Sequence, residues 1–233
     1  MKVETLNYSM HFDDVEAYII TVKNHPISEK LSKRCQLSCT EIGQPFNVWE
    51  AFDGTSGEIM YPEKLKNQDH FRFLKLMNDR LTVTEIAAIL SHYSLWCECV
   101  RLDKPIVVLE HDAIMIAPYR SHDAFNQIVY LGNLDQYRKG IWPSFPPHSA
   151  ANTNYRFICR AHAYAIDPAS ARQLVSHLIK FGITAPADML IRADIFPIVQ
   201  TGFYAFDAPE ETTITGRNPN WENDAKEIFS TFV

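Results

Sequence analysis

The stretch Ile106–Leu109 of this 233-residue chain is continuously apolar and has the length of a β-strand. A strand with apolar side chains at every position must be buried on both faces, as strands are in parallel sheets that helices cover on each side. The segments before and after it alternate between strand-like and helix-like patterns. This order predicts an α/β protein with a mostly parallel central sheet and flanking helices.

Short apolar runs closed by turn residues predict further strands at residues 15–22, 46–52 and 128–131. A helix is predicted to begin at Pro26 or Ser28. Its buried face would carry the apolar residues that recur every four positions, Ile27, Leu31 and Cys35.

Two further helices have clear starting signals. Thr82 and Glu85 have the spacing of a capping box and precede an apolar helical face. Asp167 and Pro168 combine a capping side chain with a proline suited to the first turn, and Gly182 ends that helix.

Charge and composition limit the classes of function. The chain has 22 Lys and Arg against 28 Asp and Glu, a net charge of −6, which disfavours extended non-specific binding to nucleic acid. It has no apolar run of membrane-span length, no signal-peptide pattern at its start, and five cysteines without disulfide or metal spacing. We expect a cytoplasmic protein without a membrane span. One domain is expected to cover residues 1–233, with the proline-rich segment 142–148 as a long loop.

The residues after the apolar strand carry the strongest chemical signal. Glu110 and Asp112 leave the end of a buried strand, where open α/β sheets bind their ligands. Two carboxylates are costly to bring together there unless a cation or hydrogen-bond donors compensate, and Mg²⁺ or Mn²⁺ with a diphosphate would do so. The alternative is a turn with two solvated acids. His111 stays open as a ligand, as a hydrogen-bond donor behind the ligands, or as a solvent-facing residue.

Several segments add to this signal: WEAFDG at 49–54, LTVTEIAAILSHYSLW at 81–96, IVVLEHDA at 106–113, AHAYAI at 161–166 and PAD at 186–188. In this order they resemble glycosyltransferase family 25, which includes bacterial lipooligosaccharide galactosyltransferases and procollagen galactosyltransferases. They are similar to its A-x-D-G segment, its T-x-x-E-I-x-x-x-x-S-H helix, its strand ending in L-E-D-D, and its h-A-Y and P-x-D stretches. The likeness spans about residues 15–200.

The resemblance implies a GT-A-type, Rossmann-like fold that uses a nucleotide sugar and a divalent metal ion, Mn²⁺ or Mg²⁺. By motif match, Glu110 and Asp112 would lie in the metal–diphosphate site, and Asp188 would lie near the acceptor as the catalytic base. The residues expected to bind the nucleotide or face its cleft are Thr21, Asp53, Gly54, Ser91 and His92. The nucleotide-binding part would span about residues 15–115 and the acceptor-side part about 116–233.

The sequence departs from the family pattern at two places. His111 stands where the family has the middle acid of L-E-D-D, which removes one negative charge from the site. The arginine that the family carries soon after its first strand is absent from segment 23–28. The candidates to replace its phosphate contact are Lys23, Lys30, Lys33 and Arg34.

We therefore predict a metal-dependent, inverting glycosyltransferase that moves a hexose from a nucleotide sugar, with a UDP-sugar favoured, to a hydroxyl acceptor. The net charge favours a saccharide or a protein hydroxyl over a hydroxylated DNA base. Two alternatives stay open. One is a metal-dependent hydrolase that uses His92, His111 and His162, and the other is a nucleotide-sugar-binding protein in which His111 marks lost catalysis.

Overall fold

The computed structural model describes residues 15–66, 71, 73–120, 127–133, 158, 161–199 and 203–207. The strands in these ranges are β1 (Ala17–Thr21), β2 (Phe46–Glu50), β3 (Ile106–Glu110), β4 (Ala113–Met115), β5 (Ile128–Tyr130), β6 (Gly132–Asn133), β7 (Ala163–Ile166), β8 (Ile198–Val199) and β9 (Ala205–Asp207). The helices are α1 (Pro26–Ile42), α2 (Val83–Leu102), α3 (Pro168–Phe181) and the short α4 (Ala187–Leu190), with a 3₁₀ turn at Glu63–Leu65. The predicted loop 142–148 lies outside the described residues. No helix in the described ranges is long and apolar enough to cross a membrane.

Six strands form the central sheet, in the order β2-β1-β3-β7-β5-β8. β1 pairs in parallel with β2 and with β3, and β5 pairs in parallel with β8. β7 runs antiparallel to both of its neighbours, β3 and β5, so it alone among these six strands is reversed. The prediction of a mostly parallel, Rossmann-like α/β sheet is confirmed.

The apolar stretch Ile106–Leu109 lies at the centre of this sheet, and its side chains are at most 1% exposed. Ile106 and Val108 point into an apolar core under α2 and α3, and Val107 and Leu109 point into a second core under α1. Burial on both faces is the reason that every position of this strand is apolar. A smaller sheet, β4-β9-β6, follows the end of β3.

Helix α1 covers one face of the sheet and begins one residue after His25, whose Nδ1 accepts a hydrogen bond from the Ser28 amide at 3.3 Å. Pro26 occupies the first turn, as predicted. Leu31 and Cys35 are buried on the sheet side, but Ile27 is 39% exposed. The prediction for Ile27 was wrong because the helix directs Ser28, rather than Ile27, towards the sheet, where the Ser28 hydroxyl accepts a hydrogen bond from the Val22 amide at 2.9 Å.

Helix α2 covers the opposite face and begins with the predicted capping box. The Thr82 hydroxyl accepts from the Glu85 amide at 3.2 Å, and the Glu85 carboxylate accepts from the Thr82 amide at 3.0 Å. Tyr93 and Trp96, which have no exposed surface, fix the middle of the helix against the sheet. This packing places His92 beside the ends of the central strands.

Candidate active site

The carboxyl ends of β1, β2 and β3 meet at one edge of the sheet, because these three strands are parallel and adjacent. In the strand register, Ile20 of β1 lies between Trp49 of β2 and Glu110 of β3. The residues that follow these strands, together with the first half of α2, line a cavity of about 70 Å³. The structure brings together here the predicted residues Asp53, Gly54, Ser91, His92, Glu110 and Asp112.

A larger cavity, of about 450 Å³, lies across the end of β1 from the first. Thr21 lines the larger cavity, whereas its neighbours Ile20 and Val22 line the smaller one. The Thr21 hydroxyl lies 2.7 Å from the hydroxyl of Ser32 on α1 and is fixed by that contact. Lysine side chains of three segments also line this cavity: Lys23, Lys33 and Lys64.

Glu110 is contacted by a histidine that has no exposed surface. The Nε2 atom of His92 lies 3.1 Å from Oε1 of Glu110, and the Nδ1 atom of the same ring lies 2.9 Å from the hydroxyl of Tyr164. Burial lowers the pKa of His92 to about 4, although the nearby charge of Asp188 opposes this shift. His92 is therefore neutral at pH 7 and acts as a hydrogen-bonding group next to the carboxylate.

Ser91 connects α2 to the segment that follows β2. Its hydroxyl donates to the Ala87 carbonyl at 2.8 Å and accepts from the Phe52 amide at 2.9 Å. Since only 1% of the Ser91 surface is exposed, the hydroxyl is occupied by these contacts. Ser91 thus fixes the position of Asp53 and Gly54 relative to α2.

The turn at Asp53 and Gly54 packs directly on the start of α2. Oδ1 of Asp53 accepts from the amide and the hydroxyl of Thr55, at 2.8 and 2.6 Å, which holds the turn in one conformation. A Cβ atom at position 54 would lie 2.6 Å from the Val83 carbonyl oxygen. Glycine is therefore required here by the close approach of the backbone.

His111 lines the small cavity together with Glu110 and Asp112, and its ring also contacts α1. Its Nδ1 atom lies 3.4 Å from the Ser28 hydroxyl. Burial, with smaller electrostatic contributions from His25 and Arg34, lowers the pKa of His111 to about 4. The side chain is neutral and packed against the helix, so the strand end carries two outer acids around an uncharged residue.

Asp188 lies in the first turn of the short helix α4. Its charge raises the pKa of His92 against the effect of burial, but Asp188 lines neither of the two cavities. Among the candidates for a phosphate contact, Lys23 and Lys33 line the larger cavity, while Arg34 lies near His111.

Sequence reasoning missed the partners behind His92. Tyr164 and Trp96 are both buried without exposed surface, and Trp96 Nε1 donates to the Tyr164 hydroxyl at 2.8 Å. Two signals pointed to Tyr164: its place in the segment that resembles the family's h-A-Y stretch, and its alternation along β7, which places it on the α2 side of the sheet. His162 is also fully buried, with its ring 5.9 Å from the ring of Tyr130.

The sequence profile of glycosyltransferase family 25, described as an LPS biosynthesis protein, matches residues 15–138. This match covers more than half of the chain and includes β1, the Asp53 turn, helix α2 and the end of β3. The chain belongs to glycosyltransferase family 25. No curated protein matches the chain. Membership makes this protein a glycosyltransferase enzyme, with a nucleotide-sugar donor and an acceptor as its substrates.

The carboxylates of this glycosyltransferase fit a metal ion only if substrate oxygens supply the remaining ligands. Among the described residues, no group of three or more His, Cys, Asp or Glu side chains could hold a metal ion alone. Glu110 and Asp112 line the same cavity, however, and Mg²⁺ is commonly bound by one or two carboxylates together with substrate phosphates. The residues therefore fit an ion whose coordination the substrate completes. The hydrolase alternative, which needs three or four converging protein ligands, gains no support from these residues.

Proposed function

We propose that this family 25 enzyme is a metal-dependent, inverting hexosyltransferase that uses a UDP-sugar and a saccharide hydroxyl as acceptor. The observation that carries the proposal is the charge of the small cavity. Three acids line it, Asp53, Glu110 and Asp112, and its described lining residues include no lysine or arginine. A donor diphosphate, itself an anion, can enter such a cavity only with a cation that offsets the repulsion.

Glu110 and Asp112 are the residues that would hold this cation, Mn²⁺ or Mg²⁺. When bound, the ion would neutralise the diphosphate as it leaves, which is the main electrostatic demand of the reaction. Glu110 has one carboxylate oxygen oriented by His92. The uncharged His111 gives the ion two neighbouring carboxylates instead of three, so the protein offsets less of its charge and more acts on the diphosphate.

The donor needs more room than the small cavity gives. Ligand sites are usually on the order of 300–1,000 Å³, far above 70 Å³. We assign the diphosphate and sugar to the small cavity and the nucleoside to the adjacent cavity of about 450 Å³. The donor would then cross the end of β1 between Thr21 and Val22. Lys23 and Lys33 line the larger cavity and could approach the phosphate nearer the nucleoside.

Asp188 is proposed as the general base. In an inverting transfer, the acceptor oxygen forms a bond to the anomeric carbon from the face opposite the diphosphate, and the bond to the diphosphate oxygen breaks with its electron pair. The acceptor proton passes to the carboxylate of Asp188. The support for this role is its motif position and the electrostatic effect of its charge on His92.

A saccharide is the acceptor that best agrees with the charge and the family. The net charge of −6 disfavours a polyanionic DNA acceptor, and the family is described by its part in LPS biosynthesis. A protein hydroxyl is the second choice, so the transfer assay includes peptide acceptors as well as oligosaccharides.

Calorimetric titration of UDP in Mn²⁺ or in EDTA tests the metal and the nucleotide together. We expect UDP to bind in Mn²⁺ and not in EDTA. The variants Glu110→Gln and Asp112→Asn should each weaken UDP binding in Mn²⁺ by about tenfold or more. Glu58→Gln, at an exposed acid outside both cavities, is the matched control and should bind as the wild type does. Equal affinity in EDTA would refute the metal dependence, and absence of binding in both buffers would refute UDP as the nucleotide.

The base is tested separately by sugar transfer to oligosaccharide and peptide acceptors. Asp188→Asn should keep UDP binding and lower kcat by roughly 10²- to 10⁴-fold. The control is Asp79→Asn, at an exposed loop acid. An Asp188→Asn enzyme with the turnover of that control would remove Asp188 from the mechanism.

A further inference from the structure

We propose that Tyr164 and Trp96 are positioning residues of this glycosyltransferase, which fix the orientation of the Glu110 carboxylate through His92. This inference rests on the role proposed above for Glu110 at the diphosphate. The four side chains form one connected series, Trp96–Tyr164–His92–Glu110, in which each contact is a hydrogen bond of 2.8 to 3.1 Å.

The fold aligns the series from two independent elements. In the register of β3 with β7, Tyr164 lies opposite Val108, on the α2 side of the sheet. Glu110 follows Val108 by two residues and therefore points to the same face. His92 and Trp96, four residues apart on α2, lie on one face of the helix and bridge from Tyr164 to Glu110.

The direction of each hydrogen bond follows from donor chemistry. The Trp96 indole N–H can only donate, so the Tyr164 oxygen accepts from it. Among the described residues, the only acceptor at hydrogen-bond distance from the Tyr164 hydroxyl is Nδ1 of His92, so the hydroxyl donates its proton there. A neutral imidazole carries one proton, which must then reside on Nε2, facing Glu110 Oε1 at 3.1 Å.

A buried hydroxyl at position 164 is energetically costly, and packing alone does not explain why it is present. His92, Trp96 and Tyr164 have no exposed surface, and phenylalanine at position 164 would fill the same apolar volume without a hydroxyl to satisfy. A fully satisfied buried network is one that specifies a single arrangement of its members. Glu110 is the member of the network that reaches the cavity, so the arrangement fixes the orientation of its carboxylate, with Oε1 towards His92.

The same arrangement recurs in protein metal sites, where the groups that hydrogen-bond to a ligating side chain orient it and tune its affinity. Loss of the Tyr164 hydroxyl would free Nδ1 to take the proton, and Nε2 would then present a lone pair towards the carboxylate. The expected effect is repulsion between Nε2 and Oε1 and a less ordered Glu110.

The first test is the tautomer of His92, read from the ¹⁵N shifts of histidine-labelled protein without UDP or metal. The wild type should carry its proton on Nε2, and Tyr164→Phe should yield a mixture of tautomers. The matched control is Tyr130→Phe, because Tyr130 lies opposite Tyr164 in the neighbouring strand and is 2% exposed. It should leave His92 unchanged. A wild-type proton on Nδ1 would overturn the proposal.

The second test measures the consequence for the site, by titration of Mn²⁺ into the UDP-saturated protein. Tyr164→Phe and Trp96→Phe should weaken Mn²⁺ binding by about 10- to 100-fold, and Tyr130→Phe should not. If all three variants bind Mn²⁺ equally, the positioning role is refuted. If the wild type binds neither UDP nor Mn²⁺, the proposed function has failed, and the tautomer measurement still decides whether Tyr164 orders His92.

Discussion

Replacement of Gly54 by alanine tests whether the donor site depends on the close contact between the Asp53 turn and α2. The added Cβ would lie 2.6 Å from the Val83 carbonyl oxygen, 2.8 Å from its carbonyl carbon and 3.0 Å from the Thr84 Cα. All three are backbone atoms at the start of a capped helix, so no side-chain rotation relieves the overlap. The turn or the helix end must move by several tenths of an ångström.

Overpacking of this kind costs about 1–3 kcal/mol. A loss of about 2 kcal/mol corresponds to a fall in Tm of about 4–8 °C for a chain of this length. Because Asp53 and Gly54 line the small cavity, displacement of the turn should also weaken UDP binding in Mn²⁺. Thermal unfolding by circular dichroism and calorimetry on the same preparation measure both effects.

Gly43 supplies the control, since what constrains it is its backbone conformation and not the lack of space for a side chain. It ends α1 with φ 72°, in the left-handed region, and a Cβ there would meet nothing within 4 Å. Asparagine tolerates this conformation better than alanine, so Gly43→Asn should be milder than Gly43→Ala. At Gly54 the order should reverse, because the larger side chain adds to the overlap. A Gly54→Ala protein with wild-type Tm and UDP affinity would refute the reasoning.

Two further predictions concern stability. In the folded chain the pKa values of His92 and His111 are about 4, so between pH 6.5 and 4 only the unfolded chain takes up protons at these two residues. The free energy of unfolding is therefore highest above pH 6.5 and falls towards pH 4, by about 3 kcal/mol for each residue. In EDTA, Tm should therefore fall with pH, and His111→Asn should make the fall shallower; an unchanged slope would contradict the buried neutral state of His111. Thr82→Ala removes the capping hydroxyl and should cost about 1 kcal/mol, measured as a fall in Tm of about 2–4 °C. Thr82→Ser should restore most of this loss, and a Thr82→Ala protein as stable as wild type would show that the capping box contributes nothing.

The sequence predicted four strands of the central sheet and the three long helices because local interactions set them. An apolar run identified β3, a capping box identified the start of α2, and Asp167 with Pro168 identified the start of α3. Each signal acts within a few residues of chain, through burial of a strand on both faces or through a hydrogen bond to the first helical turn. Ile27 was mispredicted because spacing alone does not show which of two adjacent residues turns towards the sheet.

The sequence also pointed to the chemistry, since two carboxylates at the end of a buried strand and the family motifs around them indicated a diphosphate site. Only the structure showed which side chains contact those carboxylates and hold them in position. His92 was expected to face the cleft, and it does line the cavity, but its two nitrogens are occupied by Glu110 and by Tyr164, 18 and 72 residues away in the chain.

What the sequence by itself determined is therefore strands β1, β2, β3 and β5, helices α1, α2 and α3, and the acids at the end of β3. Only the tertiary structure decided which side chains meet there. The reason is physical: Tyr164 reaches His92 because β7 pairs with β3 in one register while α2 packs on that face of the sheet. A shift of that register by one residue would turn Tyr164 to the opposite face, and no local pattern in the sequence around it would change.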